Sequence, residues 1–305
     1  MKSKTTLPPQ AAEFLKSPID STPRGFENFW RSTYEKALRI PLNITRRKIS
    51  SSAKARVYEF ECDSLGGFRI GGWIIEPADG KWERGIVMGH GYGGRAEPEL
   101  STYGPPAVLI QPCMRGFHRS AHPSVPDECP KHVLHEINNR EKYILRGCVA
   151  DIWVAASVLL SLYQEVRDKL DYIGGSFGGG LGAMSLAWDS RFRRAFLDVP
   201  TFGNQRERLQ TPCFGSGEPV RLRYEKDPSL LKKLRWYDSA IAAHWIKIPT
   251  FVAAALSDPN VPPIGQFAVY KGLGGKKDLF VRKEGHPNVL SDDKKLRPIL
   301  DTWFS

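Results

Sequence analysis

The sequence predicts an α/β protein: a doubly wound, mostly parallel sheet with helices on both faces and an N-terminal helical extension. Three observations carry this prediction. Short apolar runs alternate with longer segments of helical period over about 220 residues, the signature of strands and helices in layers. Most of these runs lack the in–out alternation of a half-exposed strand, as expected of strands covered on both faces. One of them, Tyr172-Ile173, leads directly into Gly174-Gly175-Ser176-Phe177-Gly178 and then into the helical composition of Leu181 to Trp188. Strand, glycine turn and helix are the context in which a G-x-S-x-G serine stands exposed at the carboxyl edge of a sheet.

The elements follow in order. Residues 1–50 form the extension, with Phe29, Tyr34 and Leu38 sharing a helical face that Pro41 ends. Residues 51–305 form the main domain. A period of two in Val57, Tyr58, Phe60 and Cys62 predicts a strand, Gly66-Gly67 a hairpin turn, and Phe68 to Ile75 its partner. Ile86-Val87-Met88 and Ala107 to Met114 read as buried strands. Asn139 to Gln164 is the clearest helix, with Leu145, Val149, Ile152, Ala156, Leu159 and Tyr163 on the face toward the sheet. Arg194 to Val199, Ile248 to Leu256 and Leu279 to Arg282 are further strands, and residues 201–236 between them read as a cap or insertion. A helix from Pro263 to Leu273 follows, and a last one with Leu296, Ile299, Leu300 and Trp303 closes the chain.

Composition narrows the function. The 305 residues, 41% hydrophobic and 25% charged, are ordinary for a globular protein, and no run of 18 apolar residues calls for a membrane span. The N-terminus lacks the apolar core of a secretory signal. Five cysteines, odd in number and without framework spacing, point to free thiols and a cytoplasmic location. The net charge of +11 is dispersed: Arg46-Arg47-Lys48, Lys232-Lys233, Lys276-Lys277 and Lys294-Lys295 lie far apart, which argues against a specific nucleic-acid or membrane partner.

The chemistry gathers at strand ends. A serine hydroxyl attacks only when a base takes its proton, and an imidazole base is oriented by a carboxylate. Ser176, Asp258 and His286 each follow a predicted strand, in the nucleophile–acid–base order of α/β-hydrolases. The turn His90-Gly91-Tyr92-Gly93-Gly94 offers backbone N–H groups at the same edge. One of them and the N–H of Phe177 form a candidate oxyanion hole. Asp198 is the alternative acid, and His90 and His118 are alternative bases; His244, in an apolar stretch, reads as a packed helix residue. Cys113, His118, His122, Cys129, His132 and His135 crowd one loop, but their spacing fits no zinc pattern, so neither metal nor organic cofactor is expected.

Over most of residues 25–300 the chain resembles carbohydrate esterase family seven, the acetyl xylan esterase and cephalosporin-C deacetylase group of α/β-hydrolases. The matching pieces are GFENFW, GGWIIEP, GHGYGG, MRG, GGSFGGG, DVPTFGN, the long block LRWYDSAIAAHWIKIPTFVAAALSDPNVPPIGQFAVYKGL, and Gly285-His286. The resemblance implies Ser176 as nucleophile, Asp258 as acid, His286 as base, and the N–H groups of Tyr92 and Phe177 as oxyanion donors. It also implies a small-molecule ester substrate carrying a short acyl group, such as an acetylated sugar, and a homo-oligomer. Three positions depart from the family pattern: Phe177 stands for glutamine, Phe117 follows Arg115-Gly116 where glutamine is usual, and Pro287 stands for glutamate. These changes make Arg115 and Phe117 candidate pocket residues and predict a more apolar site. Cleavage of another acyl bond (peptide, lactone or thioester) and a non-catalytic binding role for the same fold are the alternatives.

Overall fold

A computed structural model describes residues 7–286 and 290–305. Nine strands, β1 (Thr45–Ser51), β2 (Ala55–Ser64), β3 (Phe68–Pro77), β4 (Arg84–Gly89), β5 (Ala107–Pro112), β6 (Leu170–Gly175), β7 (Phe192–Asp198), β8 (Thr250–Ser257) and β9 (Lys277–Glu284), form one sheet. Their order is β1-β2-β3-β5-β4-β6-β7-β8-β9. The first three strands and the β3–β5 pair are antiparallel; every pair from β5 to β9 is parallel. This is the expected sheet, with an antiparallel lead-in that turns parallel. β4 and β5 are buried at every residue, which accounts for their unalternating apolar sequences.

Because the strands from β5 to β9 all run parallel, the loops after β4, β5, β6, β7, β8 and β9 open at one edge. In such a sheet that edge, outside the carboxyl ends of the parallel strands, is where ligands bind.

The strand β1 lies within the stretch expected to be a helical extension. All of its residues are exposed, and TRRKISS has no apolar alternation for a sequence reading to detect. Backbone pairing to β2 holds it, helped by Arg46–Glu76 at 2.5 Å and Arg47–Glu59 at 2.6 Å. The Arg46-Arg47-Lys48 cluster therefore belongs to a charged edge strand, a device that discourages further strand addition.

Two other faces differ from expectation in register. In the helix Phe26–Leu38 the buried stripe is Phe26, Trp30, Thr33 and Ala37, whereas Leu38 is exposed. Trp30 donates from its indole N–H to the Trp236 carbonyl (3.0 Å) and meets Trp153 edge-on, so an aromatic cluster selects the face. Each such ring contributes about 1.5–3 kcal/mol by burial. In the helix Leu290–Phe304, Leu296, Leu300 and Phe304 are buried and Ile299 is 43% exposed. The Ile144–Leu162 helix is long and apolar enough to cross a membrane, yet 83% of that window is buried inside the protein. The helix Phe26–Leu38 packs on its far side, with Arg146 Nε donating to Thr33 Oγ1 at 3.0 Å.

Candidate active site

Ser176 sits between β6 and the helix Phe177–Ser185 with φ 51° and ψ −111°, a conformation that costs a non-glycine residue about 1–3 kcal/mol. Backbone on both sides enforces it. A Cβ on Gly174 would lie 2.6 Å from the Gly178 carbonyl oxygen, and one on Gly178 would lie 2.9 Å from the Gly89 carbonyl carbon. The motif glycines are therefore required by close approach. The Ser176 N–H donates to the Asp198 carbonyl (2.8 Å) and the Gly178 N–H to the His90 carbonyl (2.9 Å). The turn is thus stitched to β7 on one side and to the loop after β4 on the other. The Ser176 hydroxyl itself makes no hydrogen bond to a described residue and faces two cavities.

Asp258 follows β8 and His286 follows β9. Imidazole Nδ1 lies 3.0 Å from Asp258 Oδ2 and 3.2 Å from Oδ1. The carboxylate is buried, and every other contact fixes its direction. Oδ1 accepts from the N–H groups of Asn260 (2.9 Å) and Val261 (3.0 Å), the Asx turn that Asp-Pro-Asn permits; Oδ2 accepts from Gln266 Nε2 (3.0 Å). The hydrogen bond to Asp258 raises the pKa of His286 above its ordinary 6.5, against the opposing effect of burial. An imidazole whose Nδ1–H is held by a carboxylate presents Nε2 as the basic atom. Gly285 is essential to this pairing, since an added Cβ would lie 2.1 Å from Asp258 Oδ2. Gly285→Ala should push acid and base apart and lower kcat/KM for an acetyl ester by about 100-fold, the scale of a misplaced catalytic group. Steady-state kinetics would read it, and an unaltered rate would deny the pair a catalytic role.

The rival residues are engaged elsewhere. Asp198 forks onto Arg282, with both N–O distances 2.9 Å, and Arg282 also reaches Asp293 at 2.8 Å. His90 is buried, and burial pushes its pKa down to about 3. Its Nε2 accepts from the Met114 N–H (2.9 Å), which leaves Nδ1–H to donate to the Gly91 carbonyl (2.7 Å). Neither nitrogen is left to act as a base. His118 Nε2 contacts the Gly93 carbonyl at 3.1 Å. His244 is exposed at the end of the helix Ser239–Ala243, not packed. Among the described residues no three His, Cys, Asp or Glu side chains group as metal ligands.

The N–H groups of Tyr92 and Phe177 donate to no described residue. Phe177 is the first residue of a nine-residue helix, where an unpaired N–H and the positive end of the helix dipole coincide. The side chains of the two residues lie against each other, with ring centroids 4.1 Å apart. The Tyr92 hydroxyl meets His132 Nδ1 at 2.9 Å, and His132 Nε2 meets the Arg115 carbonyl at 2.9 Å. Burial pushes the His132 pKa down to about 4, so the ring is neutral: Nε2–H donates to the carbonyl and Nδ1 accepts from the phenol. Phe117 fills the remaining side, 4.4 Å from His132 and 5.8 Å from Tyr92.

This packing corrects three expectations. Phe177 is 0% and Phe117 1% exposed. Neither forms a pocket wall; both belong to the aromatic packing beneath the loop that carries Tyr92. Arg115 is also buried, bound to Asp151 through Nη2–Oδ1 (2.6 Å) and Nε–Oδ2 (3.0 Å), and it lines neither cavity at Ser176. Polar-to-aromatic exchange at positions 117 and 177 is written in the sequence; the direction in which the rings point is set by Tyr92 and His132. Pro287, the third departure, lies outside the described residues.

Ser176 and His286 line both cavities. One, of about 510 Å³, is walled by Tyr92, Cys129, Cys213, Phe214, Pro219 and Val261 among others; the second, of about 450 Å³, is bordered by His90, Arg95, Glu99 and Asp198. Cys213, Phe214 and Pro219 come from the stretch expected to be a cap or insertion, where short helices such as Gln205–Arg208 and Gly217–Lys226 alternate with loops. Cys213, Phe214 and Pro219 carry no local sequence signal, because they meet the site only in the fold.

The family model of the acetyl xylan esterases (AXE1) matches residues 15–297. The chain belongs to the acetyl xylan esterase family. This is the family that its motifs resemble. The acetyl esterase Axe7A of Xylanibacter ruminicola is 22% identical over 289 residues, which are 88% of this chain and 64% of the relative; the chain spans less than two-thirds of that curated relative's length. Among solved structures, an acetyl xylan esterase from Paenibacillus sp. R4 superposes with a TM-score of 0.82 at 20% identity, covering 97% of this chain and 99% of that one. Acetyl xylan esterase 1 from Thermoanaerobacterium sp. JW/SL YS485 gives 0.79 at 18%, with the same coverage. An acylaminoacyl peptidase of Pyrococcus horikoshii gives 0.62 at 16%, over 82% of this chain and 41% of that one. At these identities the likeness is one of fold, and the fold shared with family members is the α/β-hydrolase sheet expected from the sequence.

Proposed function

We propose that this family member is a serine carboxylic ester hydrolase that removes acetyl groups from small esters. The observation that carries the reading is the buried Asp258 carboxylate gripping His286 Nδ1 at 3.0 Å while His286 and the elbow serine line the same two cavities. His286 Nε2 takes the Ser176 proton as Oγ attacks the ester carbonyl, and the imidazolium is stabilised by Asp258. The oxyanion is held by the N–H groups of Tyr92 and Phe177. Collapse of the tetrahedral adduct breaks the bond to the alkoxy oxygen, which leaves with the proton from Nε2. Water, deprotonated by His286, then adds to the acyl-Ser176 carbonyl; the adduct collapses by breaking the bond to Ser176 Oγ, which takes the proton back from Nε2, and the carboxylic acid leaves. Every proton is carried by His286, so the cycle is complete with this chain's own residues.

Family membership and the acetyl esters named for its relatives support an acetylated small molecule, such as a sugar acetate, as substrate. Five unpaired thiols support a reducing compartment, the cytoplasm, and assembly into a homo-oligomer is the remaining part of the reading. The test is hydrolysis of 4-nitrophenyl acetate, followed by labelling with a fluorophosphonate. We expect release of nitrophenol and one label per chain on the peptide containing Ser176. Turnover without labelling, or labelling elsewhere, would overturn the assignment of the nucleophile.

A further inference from the structure

The histidine-rich loop between β5 and the helix Ile144–Leu162 takes no part in the steps above. Two of its imidazoles nevertheless reach the turn Gly91-Tyr92-Gly93-Gly94, which carries one of the two oxyanion donors. His132 Nδ1 accepts from the Tyr92 hydroxyl at 2.9 Å, and His118 Nε2 meets the Gly93 carbonyl at 3.1 Å. That turn needs holding. Tyr92 is its one residue with a side chain, and the glycine backbone on either side can swing through a wide range of dihedral angles. Gly93 and Gly94 stand at φ 106° and 89°. The direction of the Tyr92 N–H therefore depends on where the phenol end of the residue is fixed.

His132 is itself wholly buried and is held from its far side. Its Nε2–H donates to the Arg115 carbonyl at 2.9 Å. The Arg115 N–H donates to Asp151 Oδ2 at 3.1 Å, and the Arg115 guanidinium grips the same carboxylate, which belongs to the Ile144–Leu162 helix. A continuous series of bonds thus runs from the central helix through Asp151, Arg115 and His132 to the phenol. A carbonyl can only accept, so Nε2 must carry the imidazole proton and Nδ1 is left to take the phenol hydrogen. Phe117, 4.4 Å from the His132 ring, and Phe177, 4.1 Å from the Tyr92 ring, pack against this pair. A donor stabilises an oxyanion only when it is aimed in advance at the place where the charge develops.

We infer that His132 is a positioning residue of the oxyanion hole: through the Tyr92 phenol it aims the Tyr92 N–H at the oxygen of the tetrahedral adduct. The inference rests on the ester-hydrolase reading above and adds a residue outside the triad on which the rate depends.

The experiment measures kcat and KM for 4-nitrophenyl acetate across pH, and the Ki of 1,1,1-trifluoro-4-phenylbutan-2-one, whose adduct with a serine places an oxyanion in the hole. Wild type, Tyr92→Phe, His132→Leu and the double variant are compared, with melting temperatures to confirm folding. We expect each single change to lower kcat about tenfold or more with KM within about twofold, short of the roughly 10²–10³ that follows outright loss of a donor. The Ki should rise by a similar factor. Because both side chains act through one bond, the double variant should match the slower single variant within about twofold. The acidic limb of the pH profile should stay in place, since neither change touches Asp258 or His286. Tyr92→Phe removes only a hydroxyl and is the change least able to disturb folding. An unaltered kcat and Ki in that variant would overturn the inference while leaving the esterase reading intact. So would losses that add in the double variant, or a limb that moves with them. Inertness of the wild type toward the ester would overturn both.

Discussion

Replacing Ser176 by alanine should lower kcat for an acetyl ester by roughly 10⁵–10⁶-fold, because nucleophile and base act as one unit and either loss removes covalent catalysis. The residual rate would come from the Tyr92 and Phe177 N–H groups, which the substitution leaves in place. Binding should persist, so a non-hydrolysable ester analogue should retain its Kd within a few-fold. The backbone adds a second readout. Ser176 is held at φ 51°, a strain that alanine keeps and glycine relieves. Ser176→Gly should therefore be as inactive as Ser176→Ala yet more stable than it by about 1 kcal/mol, measured by denaturant unfolding. Substantial turnover in either variant would remove Ser176 from the chemistry.

Asp258→Asn should reduce kcat by about 10⁴-fold with little change in KM. The asparagine oxygen could still accept from the Asn260 and Val261 N–H groups, so the loop is retained. Its amide nitrogen, however, offers a donor toward His286 Nδ1 and favours the tautomer whose Nε2 bears the proton. The pH profile gives the sign. In the wild type, the bond to Asp258 raises the His286 pKa above 6.5, and catalysis needs the neutral ring. Activity should therefore fall on acidification through a value above 6.5, and the variant's acidic limb should move to lower pH. Stability runs the other way. A raised pKa means that protonated His286 favours the folded state, a contribution fully present below its unfolded value and lost as pH rises through the folded one. An acidic limb unmoved by Asp258→Asn would mean that another group sets it; Asp198→Asn should move the limb in the same direction but less, because the Asp198 charge also raises the His286 pKa while its carboxylate is bound to Arg282 and not to Nδ1.

Much of this protein was legible before folding. The parallel strands, the long central helix and the order Ser176, Asp258, His286 follow from local periodicity and from residue types that only a few backbone contexts accept. Even the Asx turn at Asp258 is written locally, in Asp-Pro-Asn. Where the reading missed, nonlocal packing decided. β1 has no apolar pattern and exists because β2 offers it a backbone edge. The buried stripe of the Phe26–Leu38 helix was turned by Trp153 and Trp236, which are distant in sequence. Phe117 and Phe177 look like pocket residues by their exchange against polar ones, but the rings turn inward onto Tyr92 and His132.

The sequence by itself placed the candidate triad, because Ser176, Asp258 and His286 each follow a strand at the same edge of the sheet and the glycines around Ser176 and the Asp-Pro-Asn turn are written locally. Only the tertiary structure decided the surroundings of those residues: the pairing of Gly285 with Asp258, the burial of Arg115 by Asp151, and the cavity walled by Phe214. Those are contacts between segments tens to hundreds of residues apart. Burial and hydrogen-bond satisfaction across such distances depend on the whole sheet being assembled, and no local pattern encodes them.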